Sequence, residues 1–221
     1  MLNEVDNYYE IKNIVFDFNG VIAGFKKTGV LNKVNLRDVC NLIRFSFSYL
    51  TNSGFRGELK YAYHGLTRGK SSSEEIYSFF ESYFPHKSDT VEKIYNNFVN
   101  SMYTREGMIN LVKYLRENNF RTYLLSNTTP ETAKIINSDD IKKYFDGVYC
   151  TSEHGNAKPE IEAYKKACKL WRIKPEESLF IDNKKRNTLA AQKVGFGDTF
   201  KSNNEKKIKK YLDEIYLDWR A

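Results

Sequence analysis

Apolar and polar positions change their spacing along this chain. In the second half, residues 108–116 carry apolar side chains at helical spacing, and residues 120–125 form a β-rich apolar run that ends at Ser126-Asn127. The same alternation then continues toward the C-terminus. It predicts further helices over 129–136, 159–171 and 187–194, the last closed by Gly195, and strands over 147–150 and 178–181. Repeated βα units of this kind predict an α/β fold, with a parallel sheet that has helices on both faces.

Residues 23–104 have a different pattern. No strand alternates with a helix there, and aromatic-rich helical stretches cover residues 39–49, 73–84 and 91–103. Ser71-Ser72-Ser73 followed by Glu74-Glu75 is a capping-box start for the middle helix. The segment is therefore predicted to be a helical insertion into the α/β domain, and its aromatic residues are expected to form a core.

The first predicted strand, residues 11–16, ends on Asp17-Phe18-Asn19-Gly20. A buried parallel strand that ends on a carboxylate presents that group at the edge where open α/β sheets bind ligands. Side chains at i and i+2 share one side of a strand, so Asp17 and Asn19 are predicted to reach one site. Gly20 would let backbone amides approach a charged ligand. By itself, the segment is equally well explained as a strand that ends in a polar turn.

Composition narrows the possible classes of protein. The chain has 221 residues, 41% of them hydrophobic, enough for one core with an insertion. No stretch approaches the ~20 apolar residues that span a bilayer, and Met1 to Asp6 lacks a basic and then apolar leader pattern. We therefore expect a cytoplasmic protein without membrane attachment. Three scattered cysteines support neither a disulfide framework nor a zinc site.

The net charge of +7 does not by itself indicate nucleic-acid binding. The densest basic run, residues 201–210, is best explained as a solvated helix face, because acidic residues are interspersed and no recognition motif for DNA or RNA is visible. We expect no nucleic-acid partner. The oligomeric state is left open by the sequence.

Four polar groups share one predicted location. Asp17/Asn19, Ser126/Asn127, Lys158-Pro159 and Asp182-Asn183 all fall at strand ends or in the loop that follows a strand. Because a parallel sheet brings these ends to one edge, the four groups are predicted to form one site.

Their order and type resemble the haloacid dehalogenase-like hydrolase superfamily. Its motifs are a strand-end Asp-x-Asp-Gly, a strand-end Ser or Thr, a Lys, and a strand-end acidic pair. Residues 145–147, 153–161 and 175–182 also look like the core of its small phosphatases. The resemblance implies a Rossmann-like core, over residues 1–22 and 105–221, and a helical cap over residues 23–104.

The resemblance also implies a chemistry. Asp17 would be the nucleophile that forms an aspartyl-phosphate, Ser126 and the amide of Asn127 would hold phosphate oxygens, and Lys158 would neutralise charge. A Mg²⁺ ion would lie between Asp17, the backbone carbonyl of Asn19, and the pair Asp182 and Asn183. The implied partner is a small phosphorylated metabolite.

Two positions depart from the family pattern, both from Asp to Asn. Asn19 stands where the general acid/base usually is, and an amide cannot transfer that proton. Asn183 stands where a second carboxylate usually binds magnesium, so weaker metal binding is expected. The leading interpretation is a slow magnesium-dependent phosphatase. One alternative is a catalytically impaired ligand-binding or interaction protein. A more remote alternative is a metal-independent dehalogenase, but residues 18–21 of this chain match the nucleophile motif of that branch poorly.

Overall fold

The computed structural model describes residues 10–217, so the leader prediction for Met1 to Asp6 lies outside the described residues. The strands are β1 Asn13–Phe16, β2 Ala23–Phe25, β3 Met102–Thr104, β4 Arg121–Ser126, β5 Gly147–Cys150, β6 Ser178–Asp182 and β7 Asp198–Lys201. The first helices are α1 Lys27–Val30, α2 Leu36–Thr51, α3 Ser53–Leu66, α4 Ser73–Tyr83, α5 Ser88–Asn100 and α6 Glu106–Glu117. The remaining α-helices are α7 Pro130–Ile136, α8 Asp139–Lys142, α9 Thr151–His154, α10 Ile161–Trp171, α11 Lys185–Val194 and α12 Glu205–Leu212.

Five strands form a parallel sheet in the order β5-β4-β1-β6-β7. The central strand β1 pairs with β4 and β6, and Phe16 lies opposite Leu124 on one side and Ile181 on the other. All four residues of β1 are buried, as expected for the middle of a parallel sheet. The predicted α/β fold class with a parallel sheet is confirmed.

Alternate strand residues enter two separate cores, because successive side chains point to opposite faces of a sheet. Ile14 and Phe16 of β1 pack with α6 and α12 on one face. Val15 packs with α10 and α11 on the other face. Helices therefore cover both faces of the sheet, as predicted.

Helices α1 to α5 form the helical insertion, which has an aromatic core of its own. Phe45, Phe55 and Phe80 are buried together there, with Phe55 and Phe80 in an edge-to-face arrangement. The predicted aromatic core is present. The division into a core of residues 1–22 and 105–221 and a cap of residues 23–104 stays a prediction.

Two short strands were not predicted in the insertion. Strands β2 and β3 pair antiparallel, with Ala23 opposite Thr104, and so join the two points where the chain enters and leaves the insertion. The helix predicted over residues 91–103 accordingly ends at Asn100, because Met102 to Thr104 belong to β3. The helical insertion predicted over residues 23–104 therefore also contains a short strand at each of its ends.

The insertion contacts the α/β part through several side chains. Arg68, after α3, forms an ion pair with Glu160, and the Thr151 hydroxyl donates to the Thr67 carbonyl at 2.8 Å. Ser73, at the start of α4, donates to Glu131 of α7 at 2.7 Å. The insertion thus lies over the carboxyl ends of the strands. None of the helices within residues 10–217 has the length and apolar character to cross a membrane.

Candidate active site

Three central strands end on, or just before, the polar residues that the sequence marks as candidates. Asp17 follows β1, Ser126 ends β4 and Asp182 ends β6. The backbone N–H of Asp17 donates to the Ile181 carbonyl at 2.8 Å, which continues the β1–β6 pairing one residue past the strand. The register of the parallel sheet therefore places these side chains at one edge.

Lys158 joins the strand ends. Its ammonium donates to Asp17 Oδ1 at 2.7 Å, to Asp182 Oδ2 at 2.9 Å and to the Leu125 carbonyl at 2.7 Å, so all three of its protons are used. Lys158 and Asp17 are each 3% exposed and Asp182 is fully buried. A buried charge is tolerated only when it is paired and hydrogen-bonded, and this triad meets that requirement with one cation for two carboxylates.

Burial and the neighbouring charges shift the pKa of Asp17 and of Lys158. Burial raises the pKa of Asp17, the Lys158 ammonium opposes that shift, and the Asp182 carboxylate adds to it. Burial alone would lower the pKa of Lys158, but the charges of Asp17 and Asp182 raise it. Lys158 is therefore held as a cation, and Asp17 is a carboxylate whose charge is costly to maintain.

Asn127 fixes the backbone of Lys158, a role that sequence reasoning missed. Its amide nitrogen donates to the Lys158 carbonyl at 2.8 Å, and its amide oxygen accepts from the Lys158 N–H at 2.8 Å. The Lys158-Pro159 peptide bond is cis. The helix predicted to start at Pro159 begins at Ile161, with Glu160 as its N-cap. The only sequence signal was an amide beside a predicted phosphate-binding serine.

Asp182 is held by further protein donors. Its Oδ1 accepts from the Lys184 backbone N–H at 2.8 Å, and its Oδ2 also accepts from Asn187 Nδ2 at 2.8 Å. Asn187, on the first turns of α11, was not among the predicted site residues. Its contribution is to orient Asp182 toward Lys158.

Asn19, Gly20 and Asn183 meet beside Asp17. Asn183 Nδ2 lies 3.5 Å from the Asn19 carbonyl, and Asn19 Nδ2 lies 3.5 Å from the Asn127 carbonyl. Gly20 has φ +90°, and a Cβ there would lie 2.4 Å from Asn183 Nδ2, so only glycine fits. The Gly20 N–H donates to the Ala23 carbonyl at 2.8 Å. Its observed contribution is thus space for Asn183, and a ligand contact by Gly20 stays a prediction.

Besides Asn187 Oδ1, three buried oxygens of this site have no hydrogen-bond partner: Asn19 Oδ1, Asn183 Oδ1 and Ser126 Oγ. Buried polar atoms in folded proteins nearly always have partners, and those that lack one mark places where a ligand, ion or water is expected. Two of these oxygens can only accept or coordinate, whereas the serine hydroxyl can also donate. The arrangement suits an oxyanion near Ser126 and a cation near the two amides.

The oxygen atoms of this site are of the kinds that bind a magnesium ion. Asp17 offers a carboxylate, Asn19 a backbone carbonyl and Asn183 an unpartnered amide oxygen. Mg²⁺ commonly uses one or two carboxylates and keeps several waters. Across residues 10–217, no three His, Cys, Asp or Glu side chains are grouped to hold a metal by themselves. The set therefore fits a weakly held Mg²⁺ ion, and Asp182, which already accepts three hydrogen bonds, fits it less well than Asp17.

Comparison with known proteins identifies the family of this chain. A family model described as haloacid dehalogenase-like hydrolase matches residues 11–195. A sesquiterpene phosphatase of Aspergillus oryzae is 22% identical over 185 residues, which cover 83% of this chain and 86% of that protein. The D-ribitol-5-phosphate phosphatase of Bacteroides thetaiotaomicron is 26% identical over 206 residues, 88% of this chain and 93% of its own.

Solved structures show the same fold. A HAD-family enzyme of Bacteroides thetaiotaomicron, crystallised with magnesium and inorganic phosphate, superposes with a TM-score of 0.65 at 23% identity, covering 87% of this chain and 94% of that one. The L-2-haloacid dehalogenase of Xanthobacter autotrophicus superposes with a TM-score of 0.54 at 15% identity, covering 85% and 76%. At these identities the superpositions establish the fold alone.

Proposed function

The chain belongs to the haloacid dehalogenase-like hydrolase family, and we propose that it is a phosphatase that acts on a small phosphorylated metabolite. The observation that carries the proposal is the buried triad of Asp17, Lys158 and Asp182 beside the unpartnered hydroxyl of Ser126. Two relatives across most of the chain are named phosphatases, which supports the same reaction class.

In the proposed reaction, a carboxylate oxygen of Asp17 attacks phosphorus. The bond between phosphorus and the ester oxygen breaks, and the alcohol leaves after taking a proton. Water then attacks the aspartyl-phosphate, the bond between phosphorus and Asp17 breaks, and inorganic phosphate is released. Asp17 ends as the carboxylate with which it began.

The other residues bind and balance charge in this proposal. Ser126 would donate its free hydroxyl to a phosphate oxygen, and the Asn127 N–H would donate a second hydrogen bond. Lys158 would offset the charge of the nucleophile and of the transferred group. Asn127 also acts as a positioning residue, because its amide binds the Lys158 backbone.

Magnesium would be held by Asp17, the Asn19 carbonyl and the Asn183 amide oxygen, with Asp182 as the remaining predicted ligand. When bound, it supplies positive charge that stabilises the phosphoryl oxygens. The set contains fewer carboxylates than the family pattern, so we propose weak binding.

Asn19 sets the expected rate. It occupies the predicted position of the acid that protonates the leaving oxygen, and its amide cannot give up a proton at neutral pH. The leaving alcohol would take its proton from water, which favours substrates with good leaving groups. A slow phosphatase is therefore the form of the activity that we propose.

The same two asparagines favour a second candidate, a protein that binds a phosphorylated ligand without turning it over. A metal-independent dehalogenase is the third, and residues 18–21 fit it poorly. The three candidates predict different results in an assay of phosphate release.

The test is release of phosphate from p-nitrophenyl phosphate and acetyl phosphate, with Mg²⁺ and with EDTA. Asp17→Asn should lower kcat at least about a thousandfold. The matched control is Asp140→Asn, an equal change at a side chain that is 95% exposed, and it should retain wild-type kcat. A hydroxylamine-sensitive phosphate on the Asp17 peptide, detected by mass spectrometry, identifies the intermediate.

Turnover no greater in the wild type than in Asp17→Asn would overturn the phosphatase proposal. Calorimetry with inorganic phosphate then distinguishes the alternatives. Binding that Ser126→Ala weakens, by removing the unpartnered hydroxyl, would support a ligand-binding protein. Halide release from 2-chloropropionate without Mg²⁺ would support a dehalogenase.

A further inference from the structure

A cavity of about 320 Å³ opens from the proposed phosphate site into the helical insertion. Asn19 and Asn127 lie at the end next to the sheet, and helices α3, α4 and α5 provide the opposite walls. The lining residues are Asn19, Leu59, Tyr63, Leu66, Ser73, Ile76, Tyr77, Val91, Tyr95, Phe98, Asn127, Thr129 and Thr132. A substrate whose phosphate lies at Asp17 would place its alcohol part in this space.

The lining set contains no Lys, Arg, His, Asp or Glu. Aliphatic side chains and Phe98 contribute to the walls, with Ile76 from α4 and Val91 from α5. Tyr63, Tyr77 and Tyr95 also belong to the lining. Binding of a hydrocarbon group against a wall of this composition is favourable, because it removes apolar surface from water. The wall offers no charged group to a polar ligand.

Most polar groups of the lining already have partners within the protein. The Tyr95 hydroxyl donates to Glu131 and lies 2.7 Å from the Thr129 hydroxyl. The Ser73 hydroxyl donates to Glu131 at 2.7 Å, and the Thr132 hydroxyl donates to the Thr129 carbonyl at 3.1 Å. These bonds also hold α4 and α5 against the start of α7.

At the other end of the cavity, both ends of the Asn127 amide are bound to Lys158, and Asn19 Oδ1 is an acceptor without a partner. The hydroxyl groups of a polyol or sugar would therefore give up water and find few free partners here. An unpaired hydroxyl transferred from water into an apolar space is strongly disfavoured.

We propose that the substrate is a phosphate monoester of an apolar alcohol, whose hydrocarbon part fills the cavity between α3, α4 and α5. This inference rests on the proposed phosphatase function. The cavity is at the small end of ligand-binding pockets, which points to a compact hydrocarbon group rather than a long lipid chain.

A homologous series of substrates tests the proposal. With n-butyl, n-hexyl and n-octyl phosphate, each below its critical micelle concentration, kcat/KM should rise about fourfold per added methylene until the cavity is full. At equal carbon number, n-pentyl phosphate should exceed D-ribitol 5-phosphate by at least about tenfold. Equal values along the series, or a preference for the pentitol ester, would overturn the inference.

A pair of matched variants locates the effect. Ile76→Asn places an amide in the cavity wall and should lower the ratio of kcat/KM for n-octyl phosphate to that for acetyl phosphate about tenfold. Ile43→Asn makes the same change on α2, at a residue that is 65% exposed and outside the lining, and should leave the ratio as in the wild type. Thermal melts of both variants establish that they are folded.

The inference and the phosphatase proposal fail in different ways. Hydrolysis of acetyl phosphate with no chain-length dependence overturns the inference and leaves the phosphatase proposal standing. If no ester is hydrolysed, calorimetry with the same alkyl phosphates decides. Affinity that rises with chain length in the wild type, and less in Ile76→Asn, supports an apolar ligand, and affinity independent of chain length overturns it.

Discussion

The side-chain amide nitrogen of Asn183 lies 3.5 Å from the backbone carbonyl oxygen of Asn19, and the glycine at position 20 leaves the space for this approach. Both asparagine Oδ1 atoms are buried without a hydrogen-bond partner. Two loops that follow neighbouring strands therefore meet through neutral groups at the point where we propose that magnesium binds. The predicted weakness of that site follows from this neutrality.

Asn183→Asp should strengthen magnesium binding. The change adds a second carboxylate to the proposed ligand set, and the number of charged ligands is a main determinant of the affinity of oxygen sites for hard cations. We expect the Mg²⁺ concentration for half-maximal activity to fall on the order of tenfold. The control is Asn96→Asp, the same change at an exposed position of α5. Equal Mg²⁺ dependence of the two variants would contradict the proposed ligand role.

Asn19→Asp should restore general acid catalysis. A positioned acid typically contributes about 10² to 10⁴ in rate, and most of the gain goes to leaving groups that need a proton. We therefore expect a large increase in kcat for an alkyl phosphate and a small one for p-nitrophenyl phosphate, whose leaving phenolate is stable. The readout is the ratio of the two increases. An equal gain with both substrates would mean that the introduced carboxyl group acts in some other way than by protonating the leaving group.

Lys158→Met should destabilise the fold as well as abolish turnover. The change leaves Asp17 and Asp182 buried without their cation, a loss of about 3–5 kcal/mol in comparable sites. Without the lysine the pKa of Asp17 rises further above its unfolded value, so the lost stability should be largest near pH 8 and smaller near pH 5. Urea unfolding at both pH values measures this.

A second substitution checks the cause. Adding Asp17→Asn to Lys158→Met removes one of the two unpaired charges and should restore about a kilocalorie per mole or more at the higher pH. If the double variant is no more stable than Lys158→Met alone, the lysine contributes through packing rather than through charge.

The strand-end residues could be predicted from the sequence, because buried parallel strands appear as continuous apolar runs. Apolar runs that end on Asp17, Ser126 and Asp182 have one simple structural interpretation, and the structure brings Asp17 and Asp182 to one lysine. The two hydrogen bonds between the Asn127 side chain and the Lys158 backbone were not predictable. The two residues are 31 positions apart, and their pairing depends on the tertiary structure.

Elements with weak local signals were missed for identifiable reasons. Helix α3 contains Gly54, Gly57 and Gly65, and glycine lowers helix propensity at each position. Strand β2 has three residues, too few to show alternation. Strand β7 lies at the sheet edge with no buried residue, so it lacks the apolar run that identified the central strands.

The three cysteines should differ in reactivity. Burial raises the pKa of Cys150 and of Cys168 to about 12 each, whereas Cys40 is exposed on α2. Because the thiolate is the reactive form, a disulfide reagent at pH 8 should titrate one thiol in the folded protein and all three in denaturant. Cys40→Ser should abolish the fast reaction. More than one fast thiol in the wild type would contradict the burial of Cys150 and Cys168.

The stability of the helical insertion should depend on the charge of Asp38. This residue is 1% exposed, and it accepts hydrogen bonds from the Asn35 N–H at 3.0 Å, the Thr90 hydroxyl at 3.0 Å and the Lys93 ammonium at 2.7 Å. These bonds join α2 to α5. The hydrogen bond from Lys93, together with that from Asn35, lowers the pKa of Asp38 below its usual value of 3.8.

Since the folded-state pKa of Asp38 lies below the unfolded one, its contribution is complete above about pH 4 and is lost as the pH falls through the folded-state pKa. Asp38→Asn should therefore cost about 2 kcal/mol of unfolding free energy at pH 7 and less at pH 3, because at that pH the carboxyl of the unfolded wild-type chain has largely taken up its proton. Urea unfolding of the full chain at pH 7, 5 and 3 measures the difference between wild type and variant. The matched control, Asp140→Asn, should show no such difference at any of these pH values, and a constant deficit for Asp38→Asn at all three would mean that shape rather than charge joins the two helices.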